Sequence, residues 1–155
     1  MLDKRQTELS SLVRDNIDEI LVRIIQFTSI RHNVITENIR NCRTAGFVPR
    51  YIDVEDFAKV ISIALTEHQK TQRLALCDSR TVSFGRGGDF NLEPQADIEA
   101  AGLVDNDLEA FIELQKSRLR ENISNNKAAC ALLNHKQSMA EFNNQVMDNQ
   151  VENQI

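Results

Sequence analysis

Between Leu9 and Ile39 the apolar residues Val13, Ile17, Ile20, Ile24 and Phe27 recur at alternating spacings of four and three. That is the 3.5-residue repeat of a helix packing along a seam, and Leu12, Leu21 and Ile25 widen the stripe. Arg31 takes the next seam position, Val34 resumes the pattern, and Asn38 falls on the one after. A buried asparagine at such a place costs stability but fixes register, because its amide must find a specific partner. Gly46 and Pro49 then end the helix.

The stretch from Arg50 to Ile52 reads as extended, as does Val48 directly before proline. A shorter helix is expected near residues 54–70. Asp53 caps it, Glu55 and Asp56 favour its positive end, and Phe57, Val60, Ile61, Ala64 and Leu65 form its apolar face. Residues 72–104 carry four of the five glycines and read as a flexible or hairpin-like connection, with "RTVSF" as a short strand. "FGRGG" lacks the lysine, the hydroxyl and the glycine spacing of a phosphate loop. The last helix is expected from "LVDNDLEAFIEL", with Asn106 as cap, Glu109 reaching back to it, and Asp105 and Asp107 in the first turn. Leu108, Ile112, Leu119, Ile123, Cys130 and Leu133 form its stripe, interrupted by Asn126 and other polar residues. The tail "AEFNNQVMDNQVENQI" is polar enough to fray unless a partner orders it.

These elements predict a mainly α fold, with long N- and C-terminal helices pairing in a coiled-coil-like bundle around an irregular or short β-hairpin middle. One elongated domain of 155 residues divides into an N-terminal helix over 1–46, a middle over 47–104, and a C-terminal helix and tail over 105–150. With no Trp and one Tyr, the apolar content suits narrow helical stripes better than a thick core.

The charge of −5 argues against nonspecific nucleic-acid binding. It is uneven: residues 1–50 hold 8 basic against 6 acidic side chains, and from Asp89 to Glu113 eight carboxylates stand without a base. That run reads as a solvated surface, or as a contact with a basic neighbour. Cys42, Cys77 and Cys130 form neither a disulfide framework nor a zinc motif, and His32, His68 and His135 are isolated, so no metal or cofactor is expected. The start "MLDKRQTELSSLV" lacks the apolar core of a cleaved signal peptide.

The segment "TENIRNCRTAGFVPRYIDVEDF" resembles the N-terminal signature of the bacterial flagellar basal-body rod proteins, Asn-Ile-Ala-Asn-x-x-Thr-Pro-Gly-Tyr, and within that family is most like the proximal rod proteins. Asn38, Ile39, Asn41 and Gly46 match, and Phe47 stands for the tyrosine. A second match lies at the C-terminal helix, where Val104, Asp105, Asp107 and Glu109 fit the family's Val-Asp-x-Asp-x-Glu pattern. Arg40, Ala45, Lys116 and Arg120 depart from the family's usual residues, marking a divergent member.

The resemblance implies a structural subunit exported unfolded by the flagellar type III apparatus into the periplasm-spanning rod. Its partners would be other rod subunits, copies of itself, the export apparatus and the inner-membrane ring region, with no nucleic acid or small-molecule substrate. Asn38 and Asn41 would satisfy backbone groups at the turn and at neighbouring subunits. The rival reading is a cytoplasmic helical adaptor or secretion chaperone that binds a client helix. Catalysis is the weakest reading, since carboxylates at a helix start are explained by capping.

Overall fold

A computed structural model describes Leu9 and residues 12–154. Helix α1 (Asn16–Asn41) is followed by β1 (Arg50–Tyr51), α2 (Val54–Thr71), β2 (Val82–Phe84), β3 (Phe90–Leu92), β4 (Gln95–Ala96), α3 (Ile98–Asn106) and α4 (Leu108–Glu152). The mainly helical class, with long terminal helices and short β-pairings between them, is as the pattern predicts. At 1.5 Å per residue α1 is about 39 Å long and α4 about 68 Å.

The periodic stripe extends back to Leu9, but α1 begins only at Asn16. Asp15 decides this boundary: its extended backbone and its carboxylate, accepting from Asp18 N, make it an N-cap. At the other end Gly46 reverses the chain with φ of +75°, a left-handed conformation natural to glycine.

α1 is the central element and is buried on two adjacent faces. Phe27, with the partly buried Ile24 and Val34, packs against Phe57 and Val60 of α2 and against Val82, Phe90 and Leu92 of the β2–β3 hairpin. Phe27 and Phe57 stack with centroids 4.1 Å apart, and Phe90 meets Phe57 edge-on. Leu21, Val22 and Ile25, one residue around the helix, pack against Ala129 and Leu133 of α4. A third cluster joins Cys42, at the C-cap of α1, to Ala100 and Phe111, with Leu103, Val104 and Leu108 at its edge. The seam inferred from Val13 to Phe27 therefore divides between two partners: Val13 and Ile17 pack with the α4 cluster, Ile24 with both, and Phe27 with the middle segment, while Leu12, Leu21 and Ile25, which widen it, pack with the α4 cluster.

Of the two expectations for the middle, the hairpin holds over the flexible connection, and "RTVSF" contains its first strand. β1 pairs antiparallel with β4, and β2 with β3 in the register Val82 to Leu92. Arg23 of α1 holds the hairpin tip: buried, it donates to Gly88 O at 2.7 Å, and its guanidinium lies 5.4 Å from the Phe84 ring. α2 begins at Val54 after the N-cap Asp53, as the capping pattern predicts, and ends at Thr71. Gln72 O then accepts from Asn16 Nδ2 at 3.0 Å, so α2 runs back along α1 to its start.

Asp56, in the first turn of α2, accepts from Ser79 Oγ and from both N and Oγ1 of Thr81. The hydrogen bonds from Thr81, then Ser79, hold its carboxyl below the ordinary 3.8 against the opposing effect of burial. A depressed carboxyl stabilises the fold above its unfolded value, and that contribution fades as pH falls through the lower folded value. The gap between the thermal melts of wild type and Asp56→Asn is expected to hold from pH 6 to about 4 and to close as pH falls further, from about 4 through the lower folded value and below it. A gap that stays open below that value would assign the effect to something other than this carboxylate.

Candidate functional site

Asn38, in the first matched segment, is where the end of α1 meets both the returning strand and α4. Its side chain, 2% exposed, accepts from Arg50 N at 3.0 Å and donates to Arg50 O at 2.7 Å and to Gln115 Oε1 of α4 at 3.1 Å. The amide thus acts as a ladder rung for one edge of β1, whose other edge pairs with β4 and where Pro49 O accepts from Asp97 N. One side chain ties the end of α1, the returning strand and α4 together.

The other matched residues separate into buried and exposed groups. Ile39, Asn41 and Phe47 are half-buried and Gly46 is exposed. The Asn41 carbonyl accepts from Thr44 N at 2.9 Å, but among the described residues its side chain makes no hydrogen bond. The expectation that both asparagines clamp backbone at the turn therefore holds for Asn38 alone.

At the second match the helix boundary shifts by one residue. Asp107, not Asn106, caps α4, its carboxylate accepting from Ala110 N at 3.1 Å. Asn106 ends α3, a helix the sequence pattern did not disclose, and its side chain donates to Gly102 O. Asp105 and Glu109 are exposed, while Val104 packs beside Phe111. Within the acidic run, buried Asp97 caps α3 through Ala100 N and pairs with Arg118 at 2.7 Å.

From Gln115 onward the α1–α4 seam is unusually polar. The buried residues of α4 are Phe111, Gln115, Asn122, Ala129 and Leu133, close to a heptad repeat and displaced by about one residue from the apolar stripe Leu108, Ile112, Leu119 and Ile123. Asn122 Nδ2 donates to Thr28 O at 2.7 Å and Asn126 Nδ2 to Thr28 Oγ1 at 2.8 Å. Gln115 Nε2 and Asn122 Oδ1 have no partner among the described residues. Arg31, at its expected seam position, is buried and pairs with Glu121 at 3.2 Å. Sequence reasoning missed Gln115 and Asn122, although their seven-residue separation, continued by Ala129, was the available signal.

Lys136 closes the far end of the seam, 2.7 Å from Asp15 and 3.1 Å from buried Asp18. Burial pushes the Asp15 carboxyl up, yet the hydrogen bonds from Lys136 and Asp18 N outweigh it and hold the group below its ordinary value. Burial likewise pushes Lys136 down, and its bonds to Asp15 and Asp18 leave it above its ordinary value. The antiparallel pair is thus fixed in register by polar contacts from Asn38 to Lys136. Such contacts specify one alignment at a cost in stability relative to an apolar seam.

Beyond Lys136, α4 continues to Glu152 and every residue from 141 to 154 is exposed. The tail expected to fray is helical, and it displays Met139, Phe142, Val146, Met147 and Val151 to solvent. A second apolar surface lies between α2 and α4, where Leu21, Ile24 and Phe27 form the floor of an open groove of about 500 Å³. No described helix is long and apolar enough to cross a membrane, and among the described residues no three His, Cys, Asp or Glu side chains gather as a metal set. No family model, no curated protein and no solved structure matches the chain.

Proposed function

We propose that this chain is a structural subunit of the flagellar basal-body rod, exported by the flagellar type III apparatus and assembled through its terminal helices. The observation that carries the reading is Asn38: the asparagine of the N-terminal signature bonds both backbone groups of Arg50 and reaches Gln115 of α4. The residue type that the resemblance singles out is thus one on which the joint between the terminal helices depends. A register-fixed helix pair with an exposed extension suits a subunit that repeats in one orientation.

Removing the chain from its source bacterium is expected to abolish swimming and to leave basal bodies without a rod. Unchanged swimming, or a chain found in the soluble cytoplasm and never in isolated basal bodies, would reject the reading. Asn41 supplies a finer test, because its half-buried side chain has no partner within the described subunit. Asn41→Ala is expected to change folding stability by less than about 0.5 kcal/mol while impairing swimming at normal protein levels. Normal swimming in that variant would remove Asn41 from the assembly contact.

The apolar groove between α2 and α4 favours a second reading, the helical adaptor that holds a client helix. An adaptor would stay in the cytoplasm and associate with a different chain.

A further inference from the structure

The groove and the projecting end of α4 are complementary. The groove floor is α1, and its walls are α2, through Ala58, Ile61 and Leu65, and α4, through Ala128 and Leu132. The α4 wall spans about two turns. Beyond it, Met139, Phe142 and Val146 follow at spacings of three and four, so they share one face over about two turns. The charges also complement. Of the basic side chains in residues 116–136 of α4, Arg120 and Lys127 are exposed and form no ion pair among the described residues, whereas residues 137–152 hold Glu141, Asp148 and Glu152 and no base.

The same helix cannot bring these two surfaces together. α4 is continuous through Leu132 to Glu152, so its extension leads away from its own groove and can enter such a groove only on another molecule. We infer that the α4 extension of one copy docks its Met139, Phe142 and Val146 face in the α1–α2–α4 groove of a second copy. Each copy then offers a groove at one place and an extension at another. The contact is head-to-tail and does not close after two subunits unless the geometry makes a ring. This inference deepens the assembly reading above and rests on its self-association, but not on where in the cell it occurs.

Two variants of the full chain test it. Phe142→Glu, at a position 59% exposed, blocks the extension and leaves the groove intact. Leu65→Glu blocks the groove and leaves the extension intact, and Ser62→Glu, at an exposed polar position, does the same with less risk to folding. In sedimentation experiments the wild type is expected to gain mass with concentration, and each variant alone to stay at 17.6 kDa. An equimolar mixture of an extension variant with a groove variant should rise to twice that mass and stop, because one sound groove meets one sound extension. Raising salt should weaken that mixed dimer.

A mixture that stays monomeric overturns the inference, as does association that survives both variants. A wild type monomeric throughout, whose stability falls in Phe142→Glu, would instead place the face against the chain's own first residues, and also overturns it. The mixed dimer with unchanged swimming after removal of the chain would keep the interface and reject the rod. Lost swimming without the mixed dimer would keep the rod and reject this interface.

Discussion

Asn38→Ala is expected to destabilise the fold by about 3 kcal/mol, read as a lower urea midpoint with an unchanged slope. The substitution removes three hydrogen bonds and strips partners from Arg50 N, Arg50 O and Gln115 Oε1. Deleting a partner usually costs about 1–3 kcal/mol when the group left behind is buried, and the Gln115 side chain is completely so. For a chain of this length the melting temperature should fall by about 10 °C. Asn38→Asp should not rescue it, because a carboxylate still accepts from Arg50 N but faces Arg50 O and Gln115 Oε1 with no hydrogen to donate. A loss below about 1 kcal/mol would mean that water satisfies Arg50 and that the amide is not the joint.

Phe111→Ala should cost about 4 kcal/mol, the range for emptying a fully buried aromatic site. Phe111 has no exposed surface and touches the end of α1 through Cys42 and α3 through Ala100, so its loss should loosen both from α4. Amide exchange around Cys42 and Ala100 should accelerate more than exchange in the Phe27–Phe57 cluster. The informative control is Ile112→Ala. Ile112 belongs to the apolar stripe visible in the sequence, but it is only half-buried, and its loss should cost about 1–2 kcal/mol. Equal costs for the two variants would show that the seam does not run through Phe111.

The difference between Phe111 and Ile112 shows where the sequence was legible. Capping chemistry is local, so Asp53 correctly marked the start of α2, and glycine at a reversal correctly marked Gly46. Apolar periodicity located α1, but the stripe it registered divides between partners, Phe27 packing against α2 and the hairpin, Val13 and Ile17 with the α4 cluster, and Ile24 with both. The face toward α4 uses Leu21, Ile25 and Thr28 against Ala129, Asn122 and Asn126. A buried asparagine does not look buried in a one-dimensional pattern, because its burial depends on a partner distant in the chain: 94 residues separate Asn122 from Thr28. Asn38 was legible for a different reason, since α1 had already established the stripe on which it falls. α3 stayed hidden because it has nine residues and its apolar contacts lie in other elements. The groove was equally hidden, being a gap between helices and not a property of any one segment.

α4 runs through 45 residues without a glycine or a proline. Sharp bends in helices concentrate at such residues or at inserted waters and bulges, so this helix has no built hinge along its length. Mechanically it is a strut, anchored along α1 over most of its length and free at one tip. A torque or displacement applied at the tip passes to the Asn38 and Lys136 contacts with little lost to bending. Whatever grips the tip therefore sets the orientation of the whole subunit along with its position.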